Sequence, residues 1–301
     1  NFQKQKQIQK HIKEVTKQEN HFPYDLKNPD HVYNLPAYLE EISGISSYKK
    51  NKIACIQDEK ANIYIFDTKK RKVNLKFDFG KDGDFEDIAI VEDNVFVLRS
   101  DGTLFKIENF ETVNNKTTKI NTSLNNENDT EGLFFDNSTN SLLIACKGVP
   151  SINSKELYAG FKAIYRFDLK NNSLIEKPAY LVDLSKTDNL RRPGVIGKFF
   201  TETAKKLKLT DEIGSFHPSG IAIHPIDKEN IYIISSIGQL LIIMNRQEKI
   251  MSIIELDKRL FNQPEGICFS ENGDMFISNE GKNGGGNILK FKITTDFHNK
   301  K

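Results

Sequence analysis

Acidic side chains recur in this chain at the head of one short phrase. Glu41-Ile-Ser-Gly-Ile is followed by Glu86-Asp-Ile-Ala-Ile, Glu131-Gly-Leu-Phe-Phe, Ser219-Gly-Ile-Ala-Ile and Glu265-Gly-Ile-Cys-Phe. If the fold gathers these heads, the carboxylates repel one another unless a bound cation, a basic side chain or a proton neutralises them. Oxygen ligands without cysteine suit a hard divalent ion, so Glu41, Glu86, Glu131 and Glu265 are candidate ligands for calcium rather than zinc. A second polar set follows each phrase after one apolar run: Gln57-Asp58-Glu59, Arg99-Ser100-Asp101, Lys147, Ser235-Ser236 and Asn279-Glu280. Together with His217, two residues before Ser219, these supply the candidate ligand-binding residues Glu59, Arg99, Lys147, His217, Ser219, Ser236 and Glu280. For catalysis the candidates are Glu131, Arg99 and Lys147. A cation would polarise the substrate and acidify a bound water, a glutamate would act as base, and Arg99 or Lys147 would steady developing negative charge. A plainer reading makes each Glu an acceptor for backbone N–H groups at a turn. That explains the repetition of the phrase, but not the polar residues that end the following run.

The intervals between phrase heads say what gathers them. They are 86−41 = 45, 131−86 = 45, 219−131 = 88 and 265−219 = 46 residues, and a period near 45 is the length of one four-stranded propeller blade. The runs between turns are short and rich in β-branched and aromatic residues, as in Asn62-Ile-Tyr-Ile-Phe, Asn94-Val-Phe-Val-Leu and Asn230-Ile-Tyr-Ile-Ile, which are strand signals. In the long interval four strands can be counted after Glu131, at Gly132–Phe135, Ser141–Cys146, Lys162–Leu169 and Ala179–Leu184. A helical pattern over Ile196–Leu209 then reads as an insertion at about 187–215. The expectation is an all-β chain forming a single β-propeller of five four-stranded blades, six being the alternative count. The last phrase is followed by only three strands, and an open sheet edge is a liability, so Tyr24–Asn34 should supply the fourth and close the ring. Residues 1–20, rich in Lys and Gln, read as a polar N-terminal helix or linker, and 21–301 as the propeller domain. In a blade the inner strand starts and its neighbour ends on one face, so the polar sets should converge at one mouth of the central channel.

Composition limits the partners. Among 301 residues, 43 Lys+Arg stand against 41 Asp+Glu, which argues against a general nucleic-acid binder. No run of 18 apolar residues could span a membrane as a helix. Cys55, Cys146 and Cys268 lie singly inside apolar runs and read as buried hydrophobes. Asp82-Gly-Asp-Phe-Glu-Asp lacks EF-hand spacing. Gly281-Lys-Asn-Gly-Gly-Gly precedes a strand instead of the helix that a phosphate loop needs, and reads as a loop over the mouth. His217-Pro-Ser-Gly is no nucleophile elbow.

Glu41-Ile-Ser-Gly-Ile, Gln57-Asp-Glu, Gly83-Asp-Phe-Glu-Asp-Ile, Leu98-Arg-Ser-Asp-Gly-Thr-Leu, Asp129-Thr-Glu-Gly-Leu, Ala145-Cys-Lys-Gly, His217-Pro-Ser-Gly-Ile-Ala-Ile-His-Pro, Gln263-Pro-Glu-Gly-Ile and Ser278-Asn-Glu resemble, in order over roughly 35–295, the SdiA-regulated (YjiK-like) β-propeller family of bacteria. The resemblance implies a propeller of the cell envelope, exported to the periplasm or membrane-anchored, any anchor lying outside this chain. The polar N-terminus and the 187–215 insertion depart from it. Two functions compete. One is binding of a divalent cation, calcium foremost, together with a small polar or anionic ligand or a protein at the channel mouth. The other is calcium-dependent hydrolysis of lactones or phosphoesters by the same acids. A bare scaffold is the third possibility.

Overall fold

A computed structural model describes residues 22–154, 157–183, 185, 191–192, 216–281 and 285–294. The expected N-terminal helix, the helical pattern of the insertion and residues 282–284 of the glycine-rich loop lie outside the described residues.

Five sheets surround one axis, and each is a four-stranded antiparallel meander apart from one added strand. The first is β2(Ile42–Ser47), β3(Lys52–Gln57), β4(Asn62–Asp67) and β5(Lys72–Asp78), and the second β6(Phe85–Val91), β7(Asn94–Arg99), β8(Leu104–Glu108) and β9(Lys116–Ile120). The third is β10(Thr130–Asp136), β11(Ser141–Cys146), β12(Phe161–Asp168) and β13(Ser173–Asp183). In the fourth, β15(His217–Ile223), β16(Asn230–Ile237), β17(Leu240–Asn245) and β18(Ile250–Glu255) are joined by β14(Arg191–Arg192), which runs parallel to β18 as a fifth strand. The last blade holds β19(Pro264–Phe269), β20(Met275–Asn279) and β21(Asn287–Phe291), and its outer strand is β1(His31–Asn34) from the other end of the chain. The inner strands β2, β6, β10, β15 and β19 touch in that order, and β19 returns to β2. The expected five blades and the closure by an N-terminal strand are therefore present.

Hydrophobic burial accounts for this ring. The middle strands are apolar on both faces, because each blade is covered by its neighbours on both sides. All six residues of Ser141–Cys146 are buried, as are all six of Asn62–Asp67. The outer strand Lys72–Asp78 alternates exposed and half-buried positions, as an edge with one solvated face should. The core divides into clusters lying between blades, such as Phe85, Phe79 and Ile63 between the first two. The three cysteines are free and buried within it. Ahead of β1, Tyr24 packs in the cluster between the last two blades. Its hydroxyl donates to the carbonyl of Gly273 at 2.5 Å and lies 2.8 Å from His224 Nε2. His224 Nδ1 accepts the N–H of Asp227, so Nε2 carries the proton and donates to the phenol.

Candidate functional site

Every inner strand begins with a β-bulge. Its register slips between Ile42 and Ile45 in β2, Phe85 and Asp87 in β6, Thr130 and Gly132 in β10, Pro218 and Gly220 in β15, and Pro264 and Ile267 in β19. The residue left out of pairing in a bulge is re-aimed away from the ladder. Superposing the five slips puts Ser43, Glu86, Glu131, Ser219 and Glu265 at one structural position. This corrects the first repeat of the sequence phrase by two residues, because Ser43 and not Glu41 is the counterpart of Glu86. Two residues before each bulge stands a second polar set: Glu41, Asp84, Asp129, His217 and Gln263. Of the two sets, Ser43, Glu86, Glu131 and Glu265 with Glu41, Asp84 and Gln263 line one cavity at the mouth.

The two serines of the inner ring tie blades together. Ser43 Oγ donates to the Glu86 carbonyl of the next blade at 2.5 Å, and Ser219 Oγ to the Pro264 carbonyl at 2.8 Å. Ser219 is thus a buried ring member whose described hydrogen-bond partners are backbone carbonyls and include no base. The three glutamates instead reach a cavity of about 590 Å³. Among its described lining residues are seven carboxylates, on Glu41, Asp58, Asp84, Glu86, Glu131, Glu265 and Glu280, against the two lysines Lys147 and Lys258. Ser236 lines it as well.

Charge within the ring is settled locally. Glu131 is 5% exposed, and Lys147 Nζ donates to its Oε1 at 2.5 Å and lies 3.7 Å from Asp129. Burial raises the Glu131 carboxyl while Lys147 pulls it back. Glu86 hydrogen-bonds Glu131, and burial followed by the Glu131 charge pushes its pKa up to about 11. It therefore holds a proton at neutral pH and donates to Glu131. Burial, then Glu131, pushes Glu265 up to about 8. Burial, then Glu41, pushes Asp58 up to about 6, and its Oδ1 is buried without a hydrogen-bond partner. The centre is a carboxylic acid, a carboxylate and an ammonium in sequence, with Glu41 and Asp84 on the exposed rim around it.

Sequence-expected residues divide accordingly. Glu41, Glu86, Glu131, Glu265, Lys147, Ser236 and Glu280 share the cavity. Arg99 does not line it: its guanidinium is held by Asp101, at 3.0 Å from Nε and 2.5 Å from Nη2, and by Thr103 Oγ1. Glu59 lies exposed outside it. His217 does not line the cavity either; its Nδ1 is buried and unpaired, and burial followed by the charges of Lys162 and Lys147 lowers its pKa. Asp84, Gln239, Lys258, Asn262 and Gln263 line the cavity without having been expected. Asp84 and Gln263 could have been found from their place two residues before Glu86 and Glu265. Gln239, Lys258 and Asn262 come from connections that carry no repeat signal.

Calcium takes six to eight oxygen ligands. The oxygen donors here have the right hardness, yet among the described residues no group of three His, Cys, Asp or Glu side chains stands close enough to hold one ion. Glu131 is also committed to Lys147 and Glu86. A closed protein cage for calcium does not fit this arrangement.

The fold resembles that of β-propeller proteins. A glutaminyl cyclase from Myxococcus xanthus superposes with a TM-score of 0.55 at 10% identity, over 89% of this chain and 96% of that one. The PQQ-bound aldose sugar dehydrogenase of Streptomyces coelicolor gives 0.50 at 12%, over 88% and 97%. A streptogramin B lyase gives 0.48 at 11%, over 88% and 97%. Neither a family model nor a curated protein sequence matches the chain. At these identities the likeness is one of fold alone.

Proposed function

We propose that this chain is a binding propeller of the SdiA-regulated type, working in the bacterial cell envelope, whose channel mouth takes a positively charged group. That group is a divalent cation, calcium foremost, held through its water shell, or the charged amine of a small polar ligand or protein. The observation that carries the reading is the excess of carboxylates over lysines around one cavity. A cleft lined mainly by one sign of charge concentrates ions of the other, and with Lys147 taken up by Glu131 the rim residues Glu41, Asp84 and Glu280 still outnumber Lys258. Such a mouth favours a cationic partner over an anionic one, since Arg99 is spent on Asp101 and Lys147 on Glu131. Binding is measured by calorimetric titration with calcium, magnesium and a simple primary amine, and by melting with and without chelator. At a hundredfold excess over Kd, a ligand of the folded state stabilises by about 2.7 kcal/mol, which is about 5–10 °C for a domain of this size. Asp84→Asn with Glu41→Gln, both on the exposed rim, should weaken binding about tenfold. No binding heat and no thermal shift with any cation would end the reading.

A second reading starts from the Glu131–Lys147 pair, which shares the cavity with Glu86, an acid whose pKa burial raises. In hydrolysis of a lactone or phosphoester, Glu131 would take a proton from water, Glu86 would give one to the departing alkoxide, and Lys147 would steady the charged intermediate. Ester panels assayed with the parent, Glu131→Gln and Lys147→Ala separate the two readings. Turnover lost in both variants favours the hydrolase, and equal turnover in all three removes it.

A further inference from the structure

The channel has a second end, and its chemistry is the opposite of the first. There β2 runs out through Ile45, Ser46 and Ser47, β6 through Ile90, and β10, β15 and β19 through Phe135, Ile223 and Phe269, and the space among them opens into a separate cavity of about 360 Å³. Phe134 and Phe135 on β10 remain only half-buried, each turned partly into open space, although Phe134 also packs against the clusters on both sides of the fourth blade. Cavities of this size, mostly apolar with a few placed polar groups, are the usual form of a small-molecule site. The rim carries the second observation. Asp136 is saturated: Arg246 grips it at 2.7 and 3.0 Å, Ser138 donates to it from N and Oγ, and Thr139 donates from Oγ1. Lys228 also lines the cavity, is exposed and shows no ion pair among the described contacts. Of the charged side chains that line this cavity, Asp136, Arg246 and Lys228, the one left over is Lys228.

We propose that this cavity binds a small amphiphile, its apolar chain lying between Phe134 and Phe269 and its single anionic head meeting Lys228 at the rim. The site is independent of the acidic mouth, lying at the far ends of the same inner strands. Arg246 sets the rim by fixing Asp136, which leaves Lys228 as the group that faces the head.

The probes are decanoate and, as its cationic counterpart, decyltrimethylammonium, titrated calorimetrically below their micelle concentrations. Decanoate should bind one to one and at least about fivefold more tightly than the cation, the scale of a solvent-exposed charge contact. Lys228→Glu should reverse that preference with the thermal midpoint unchanged, since the side chain holds no structural bond. Asn137→Trp, an exposed position on the cavity wall, should fill the opening and abolish binding of both probes. Absence of a one-to-one isotherm with decanoate, equal affinity for the two head groups, or full binding in Asn137→Trp would each overturn the proposal.

Discussion

At the scale of single residues, Asp87 shows how a departure from the repeat is absorbed. The third, fourth and fifth blades place glycine directly after the bulge, at Gly132, Gly220 and Gly266, whereas the second places Asp87 there. The extra side chain fits because the facing residue of the first blade is Gly44. A Cβ built on Gly44 would lie 2.2 Å from Asp87 Oδ1 and 2.4 Å from its Cα. Asp87 is 2% exposed, and burial raises its carboxyl well above the usual range. Its oxygens accept the N–H of Ile88 at 2.8 Å and, across the blade boundary, that of Leu133 at 2.6 Å. Asp87→Ala should cost about 1–3 kcal/mol, because a buried N–H on Leu133 is left without a partner. Denaturant midpoints of the variant and parent measure it. A smaller loss would mean that another acceptor moves in.

At the scale of elements, ring closure depends on β1. Removing residues 1–35 would strip β21 of its neighbour and uncover the core that Tyr33, Leu35 and Tyr24 now fill. At about 1.5–3 kcal/mol for each such buried side chain, the loss is about 5–9 kcal/mol before any backbone bonds are counted. The truncated chain should melt far lower or associate through the open edge, and a peptide of residues 22–36 added in trans should restore it. Size-exclusion and thermal melts read both outcomes, and an unchanged monomeric melt would contradict this account of closure. How much of this was legible follows from the same elements. A 45-residue period gave the blade, its count and the missing strand, because hydrophobic strands and turns must recur whenever blades do. The register at Ser43 was harder, because Glu41 matches Glu86 in type. The informative sign was the following glycine, three residues after Glu41 but one after Glu131. Symmetry puts Arg99 at the mouth, but Asp101 two residues on offers it a nearer partner within its own turn. β14 belongs to no repeat, so no period could announce it.

At the scale of the whole molecule, the charged groups set how the propeller responds to pH. Glu86, Glu265 and Asp58 have pKa values raised to about 11, 8 and 6 in the fold. Each therefore keeps a proton that the unfolded chain gives up above its ordinary carboxyl range near pH 4. Where the native state binds more protons, stability falls as pH rises. This contribution is complete below that range, and it is lost as pH climbs through 6, then 8, then 11. Asp101 and Asp136, held at about 2 by Arg99 and Arg246 against the cost of burial, work in the other direction. They favour the fold above the usual aspartate range, and their contribution is lost as pH falls toward 2. His217, whose burial lowers its pKa, likewise favours the fold less as pH drops beneath its ordinary value near 6.5. The opposing slopes place maximum stability on the acid side of neutrality, at about pH 4–6, with a steady decline toward pH 9. A cation bound at the mouth would offset part of that decline, because it neutralises the same carboxylates as they ionise. Melts across the pH range in chelator and in calcium test the argument, with Glu86→Gln as the internal control. The variant should melt higher than the parent at about pH 9 and follow a flatter profile, since it has no proton to lose there. If the parent instead melts higher at pH 8 than at pH 5 in chelator, the acids of the ring are ionised in the fold, and the acid–carboxylate–ammonium sequence at its centre is wrong.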